Sequence, residues 1–246
     1  MSTTSSGQSS LGRRFLPARW HERMQIDRFH ISEFLRHHAL PVLKPGMLLL
    51  DAGSGHLPEQ VMRTELLATG ATLRTNDFNA GPGVDDVMDV SAMTYEDASF
   101  DAVICTQVLE HVQSPSKTVA ELARVLRPGG HLFISAPQSA WLHNLPWHYF
   151  NPTRFGIELL LEQSGLAVEA RVAQGGHFSM LATNLHYTAT MLKRTQMPSL
   201  LRVPLMLISR LLFGFALKLP LMWLDRYDTD QRNTLGWCLH ARKKAD

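Results

Sequence analysis

The chain has 246 residues, 45% of them hydrophobic and 19% charged, enough apolar material for one elaborated domain with a real core. Lys and Arg number 24 against 22 Asp and Glu, a net charge of +2, which excludes nucleic-acid binding driven by electrostatics alone. The two cysteines, Cys105 and Cys238, lie in apolar strand-like runs and read as buried reduced thiols, which excludes a disulfide framework or a cysteine metal site.

The first dozen residues are rich in Ser, Thr and Gly and lack the apolar core of a signal peptide, so residues 1–30 read as a disordered or helical extension and the protein is expected in the cytoplasm. Ile31, Phe34, Leu35 and Leu40 fall at helical spacing and predict a helix over 31–40, stopped by Pro41. Lys44-Pro45-Gly46 turns into a strand at 47–51. A helix from Pro58 presents Val61, Met62 and Leu66 on one face and stops at Gly70. A strand follows at 71–77, then a polar, Gly-rich loop at 79–86. The run FDAVICTQ at 100–107 is almost continuously apolar, as a strand buried on both faces should be. Ser114-Pro115 starts a helix with Val119, Leu122, Ala123 and Leu126 on its core face, and Arg127-Pro128-Gly129-Gly130 ends it. A strand at 131–137, an aromatic- and His-rich loop at 138–152, a helix capped by Thr153 and strands at 167–173 and 235–241 complete the pattern. Alternating strands and helices predict a parallel α/β sheet with right-handed crossovers.

The run LLLDAGSGHLP at 48–58 carries the chemistry. An apolar strand ends in Asp51, followed by Gly53 and Gly55, with a helix start at Pro58. A pyrophosphate dinucleotide wants Gly-x-Gly-x-x-Gly, with its phosphates at the helix N-terminus. Here Pro58 holds the third glycine's place and a carboxylate heads the loop, which repels phosphate. A cationic ligand that needs close backbone approach fits, and S-adenosylmethionine (SAM) has a sulfonium, an ammonium and no phosphate.

Four blocks in order, DAGSGH (51–56), the second strand ending in Asp77, SFDAVICTQVLEHV (99–112) and LARVLRPGGHLFISAP (122–137), resemble the class I SAM-dependent methyltransferases. The resemblance covers residues 45–173 and implies a Rossmann-like, mostly parallel seven-stranded sheet with helices on both faces and the cofactor at the strands' carboxyl ends. The strand at 235–241 looks like the family's antiparallel last strand, with an apolar helical insertion over 177–233 before it; the domain then spans 31–246. By position, Asp51, Gly53 and Gly55 would surround the methionine part of SAM, and Asp77 would accept hydrogen bonds from the ribose hydroxyls. Phe78 would cover the adenine, Asp89 with Val90 beside it would meet the adenine amino group, and Gln107 would lie near the methionine part. The departure is His56, where many members carry another Gly.

QVLEHV at 107–112 admits three readings. Some related O-methyltransferases present Glu-x-x-Glu-His here and bind a divalent metal, but Gln107 removes an anionic ligand, so no resident metal is expected. His111 would otherwise serve as a general base near the methyl group, or Glu110 and His111 would open a helix and bond only locally. His148, in the loop at 143–155, is the second candidate base; that loop either borders the acceptor pocket or is a packed corner with Trp147 and Phe150 as core plugs.

The apolar run at 199–224 has Arg210, Gly214 and Lys218 at every fourth position, a narrow polar stripe on a helix of about 15 residues between Pro204 and Pro220. Such a helix can lie in a membrane interface through 204–220 with its cations toward headgroups, placing the protein on the inner membrane face, or it can be a buried cap or a dimer contact. The prolines and cations argue against a full membrane span. The expected function is methyl transfer from SAM to a small-molecule or lipid-linked acceptor. A non-catalytic SAM-binding scaffold at a membrane and a nicotinamide-dependent dehydrogenase are the alternatives.

Overall fold

A computed structural model describes residues 25–56, 60 and 62–245. The expected helix start at Pro58, with Val61 on its face, and most of the N-terminal extension lie outside the described residues. Seven strands form one sheet: β1 (Leu48–Ala52), β2 (Thr72–Asp77), β3 (Asp86–Val87), β4 (Phe100–Thr106), β5 (Leu126–Pro137), β6 (Leu166–Ala173) and β7 (Gly236–Lys243), in the order β3-β2-β1-β4-β5-β7-β6. β7 runs antiparallel to both of its neighbours, and the remaining pairs are parallel. β3 occupies the end of the stretch that reads as loop, because two residues are too few to show a period.

The strands are apolar on both faces because both faces are covered. Successive residues alternate between two cores. Leu49, Ile104 and Phe133 join Ile31, Phe34 and Leu35 of helix α1 (Ile26–His38) and Leu66 of α2 (Arg63–Ala68). Leu50, Val103, Cys105 and Ile134 face the other way, onto α3 (Pro115–Val125) and α4 (Arg154–Gln163). Both cysteines are buried and free, with their thiol pKa values pushed up by desolvation, that of Cys238 to about 12. The Thr153 hydroxyl caps α4 by accepting from the Gly156 N–H at 3.2 Å.

Three boundaries differ from the sequence expectation. α1 begins at Ile26, five residues earlier, so its first turn extends past the sheet edge. α3 ends at Val125, and Leu126 belongs to the sheet. The Arg127–Gly130 turn lies inside β5, where the register with β4 shifts between Phe100 and Ala102 and Gly129 takes φ +76°.

The insertion holds α5 (His177–Lys193), α6 (Ser199–Leu211), a π turn at 212–216 and α7 (Lys218–Leu224). Ser199–Tyr227 is a nearly continuous helical rod of 29 residues, long and apolar enough to cross a membrane by length and composition alone. Pro204 and Pro220 lie inside it instead of bounding it. The Pro220 ring would crowd the carbonyl of residue 216. The π turn widens the backbone there, with the Leu217 N–H reaching Leu212 O at 2.9 Å.

Two of the three stripe residues, Gly214 and Lys218, face inward, while Arg210 is exposed. Gly214 is buried, and a Cβ there would come within 3.8 Å of His186 Nδ1 on α5. Lys218 is 2% exposed, its pKa lowered by burial against the opposing pull of Asp27. The apolar side chains instead point outward, with Leu200 86% and Leu211 71% exposed, which overturns the buried-cap reading. A third, smaller core of Ile26, Ala182 and Leu235, with Leu221 packed against it, ties α1, α5 and α7 together.

Phe133 stacks on His240 at 4.6 Å and meets Phe34 edge-on at 6.3 Å. Phe133→Ala should cost about 3–5 kcal/mol in urea denaturation; a loss under about 1 kcal/mol would contradict this account of the core.

Candidate active site

The loop after β1 is sewn to the end of β2. The Gly53 and Ser54 N–H groups both donate to Asn76 O at 2.9 Å, and the Gly55 N–H donates to Asp77 Oδ2 at 3.0 Å. Asp77 Oδ1 also accepts from the Asn79 N–H at 2.9 Å. Gly53 takes φ +74°, and a Cβ there would lie 2.5 Å from Val108 Cγ2, so the position requires glycine on both counts. His56 sits against Gly81, where a Cβ would overlap its ring; the glycine at 81 makes room for the departure at 56.

These contacts decide what the loop can bind. Three consecutive amides, which in a phosphate-binding loop point at the ligand, are spent inside the protein. Two carboxylates remain at the mouth of the loop. Burial pushes the Asp51 carboxyl up to about 7, Arg63 opposing and Asp77 adding to the shift.

A cavity of about 600 Å³ opens at the carboxyl ends of β1, β2, β4 and β5, across the switch between β1 and β4 where the strand order reverses. Of the sequence-predicted residues, Asp51, Gly53, Gly55, Asp77, Gln107 and His111 line it. Gln107 closes β4 with φ +55°, its N–H donating to Ser135 O at 3.0 Å and its Nε2 to Ser135 Oγ at 3.1 Å.

Phe78, Asp89, Val90 and His148 are not part of that lining. Phe78 is 72% exposed beside Asp77. Val90 packs in the core, so only its backbone can face a ligand. Asp89 is exposed and accepts from the Ser91 N–H at 2.7 Å. His148 has both ring nitrogens engaged: Nδ1 accepts from the His143 N–H at 3.3 Å, and Nε2 faces Asn151 Oδ1 at 3.1 Å. Trp147 and Phe150 are exposed, not core plugs, since their loop runs over the surface.

The sequence reading missed two walls. Asp27, Arg28 and Ile31 of α1 form one, and Thr183, Asn184 and Tyr187 of α5 form the other. Polar residues at i, i+1 and i+4 in an otherwise apolar helix were the available signal for α5. No residue from 199–227 lines the cavity among the described residues, so the rod stands behind α5 and not over the site.

Between these walls His111 Nδ1 pairs with Trp147 O, and His111 Nε2 lies 3.8 Å from Glu110 Oε1. Burial lowers the His111 pKa, helped by His143 and His148. Glu110 is fully buried and its carboxyl is pushed up to about 8 by desolvation.

Residues 52–134, from the end of β1 into β5, match the profile of the methyltransferase domain family. Residues 52–134 thus carry a methyltransferase domain. It is 39% identical to the human thiol S-methyltransferase TMT1B over 82 residues, 32% of this chain and 31% of that protein. It is 34% identical to the ubiquinone biosynthesis O-methyltransferase of Paracidovorax citrulli over 103 residues, 37% of this chain and 43% of that one. The chain thus spans well under half the length of these curated relatives. Among solved structures, the fold matches the Burkholderia thailandensis 1,6-didemethyltoxoflavin-N1-methyltransferase, solved with S-adenosylhomocysteine, at TM-score 0.54 and 16% identity over 95% of this chain and 82% of that one. It also matches the cyclase SpnF at TM-score 0.52 and 17% identity, covering 89% and 81%. One fold here hosts different chemistries, so activity is argued from the site.

SAM is the cofactor of this methyltransferase domain, and the residues described fit it: a glycine turn with no room for a Cβ, the amides of residues 53–55 bonded within the protein, and two carboxylates. Because Asp51 must be ionised to attract a cation, SAM affinity should rise several-fold from pH 5.5 to 7.5 as that carboxyl loses its proton. Calorimetry at both pH values checks this, and a flat profile would contradict it.

Proposed function

We propose that the chain transfers a methyl group from SAM to a hydroxyl or thiol of a small-molecule acceptor that sits between α1 and α5. The observation that carries this reading is the placement of Asp51, Asp77 and a neutral His111 around one cavity. The names of the curated relatives, a thiol S-methyltransferase and an O-methyltransferase, support the acceptor class.

SAM supplies a methyl carbon on a cationic sulfur that is already a good leaving group. The protein's work is alignment and proton removal. In this reading Asp77 accepts from the ribose hydroxyls, and Asp51 and Gln107 face the amino acid end; their common position in the cavity lining supports it. The exposed Phe78 would close over the adenine, whose edge would meet the Val90 backbone and Asp89. His111 Nε2 takes the acceptor's proton in this reading. His148, with both nitrogens occupied, acts on His143 as a positioning residue. His111→Ala should retain SAM binding by calorimetry and lose turnover about 10²-fold or more; full turnover would exclude His111 as the base.

We further infer that the rod at 199–227 rests on a lipid surface, giving access to a lipid-linked acceptor. Support comes from its outward apolar face and from Trp223, Arg226 and Tyr227 at one end, residues suited to the headgroup layer. Its Ser209–Gly214–Lys218 side is packed inward, so lipid cannot surround it. Vesicles of anionic lipid should co-sediment the protein, and replacing Leu207, Ile208 and Leu211 by Ser should abolish this; sedimentation unchanged by those replacements would contradict the reading.

A further inference from the structure

We propose that His131, Glu169 and His240 form a structural seat for one divalent transition-metal ion, which clips strands β5, β6 and β7 together away from the cavity. None of the three lines the cavity. Six residues of β5 separate His131 from Pro137 at the cavity wall, ~20 Å at ~3.3 Å per residue.

Strand pairing brings the three side chains to one face of the sheet. His131 and Phe133 stand two apart on β5, and Phe133, in the core under α1, pairs with His240 of β7. Glu169 joins that face through a bulge. Val168 pairs with Ala241 and Ala170 with His240, so Glu169 is the extra residue of β6. Val168 packs on the core under α3 and α4, whereas Val172 packs on the core under α1. Regular alternation would keep residues four apart on one face, so the bulge is what switches the faces. Its effect is to turn a carboxylate of the edge strand toward two histidines.

The distances fit an ion. Ligand atoms ~2.0–2.1 Å from a tetrahedral ion stand ~3.3 Å from one another. His131 Nδ1 lies 3.0 Å from His240 Nε2, and that nitrogen lies 3.5 Å from Glu169 Oε2. One donor atom from each of the three residues lies within 4.8 Å of the others. The exposed Glu169 side chain is able to close what remains, and a water completes the fourth position. Without an ion, one imidazole donates to the other. Moving that ring's proton to its outer nitrogen presents both inner lone pairs to the metal and releases no proton.

The surroundings hold the donors in place. His240 is 6% exposed and lies against the Phe133 ring at 4.6 Å and 21°. Arg242 opposes the ion's charge, but its Nε donates to Gly129 O at 3.0 Å and its Nη1 faces the other carboxylate oxygen, Glu169 Oε1, at 4.0 Å. Two imidazoles and one carboxylate suit Zn²⁺ or Co²⁺ better than Mg²⁺ or Ca²⁺, which prefer oxygen donors alone. No residue of 107–112 takes part, so the expectation of no metal at that segment is unaffected.

The full chain, stripped with EDTA, is titrated with Co²⁺ while visible absorption is read, and with Zn²⁺ by calorimetry. Its thermal melt is followed with and without excess Zn²⁺. His131→Gln and Glu169→Gln alter side chains that reach solvent; a cooperative melt shows that each is folded, and should one fail, the other decides. His143→Ala is the control, because it removes a histidine of the other His-Glu group, at the cavity. The expected result is one saturable ion per chain, with the intense absorption of four-coordinate Co²⁺ and a melt raised by Zn²⁺. Affinity should fall at least about tenfold in the two ligand variants and stay unchanged in His143→Ala. Wild type that binds no ion, a folded ligand variant that binds it as well as wild type, or a loss confined to His143→Ala overturns the seat.

Discussion

The rest of the site depends on three hydrogen bonds from loop amides after β1 to the end of β2, two to the Asn76 carbonyl and one to the Asp77 carboxylate. By spending the amides of Gly53, Ser54 and Gly55 on Asn76 and Asp77, the protein turns a phosphate cradle into its electrostatic opposite. Asp51 and Asp77 then face the same space, and Asp77 adds to the burial that raises the cost of ionising Asp51. A ligand that brings positive charge relieves that cost. The raised pKa of Asp51 comes first from burial, with Asp77 adding to it, and positive charge in the cavity offsets both.

The sheet supplies the rigidity this requires. β1 and β4 are neighbours in register, Asp51 opposite Ile104, and both run through cores buried on two sides. Reversal of strand order between them opens the crevice, so the loop carrying the carboxylates and the loop carrying Glu110 and His111 meet at one rim. The acceptor half is built differently. Its walls come from α1 and α5, which are joined by the small core of Ile26, Ala182 and Leu235 and stand at the end of the sheet. In the proposed reading these two helices set substrate choice independently of the cofactor half.

The cofactor half was legible because its signals are local. Asp51, Gly53 and Gly55 fall within five residues, and Asp77 ends the next strand, so pattern and chemistry coincide. The acceptor half was not, because Arg28, His143 and Tyr187 are brought together only by the fold. The stripe on the apolar rod was seen, but its direction was misread. Polar residues on an apolar helix usually face water, and Arg210 does; yet Gly214 lets α5 approach closely and Lys218 lies beside His186 and within the pull of Asp27, so these two form an inward seam. Spacing along the chain could not show that His143, from another loop, stands beside Glu110 and His111.

The central claim is that paired carboxylates over a spent amide loop select a cationic nucleoside over a phosphorylated one. Calorimetric titration of the full chain with SAM and with NAD, in wild type and in Asp77→Ala, tests it most directly. The account predicts one SAM bound per chain, no heat from NAD, and loss of SAM binding by at least tenfold in the variant. NAD binding at the same site, or SAM affinity indifferent to Asp77, would contradict it.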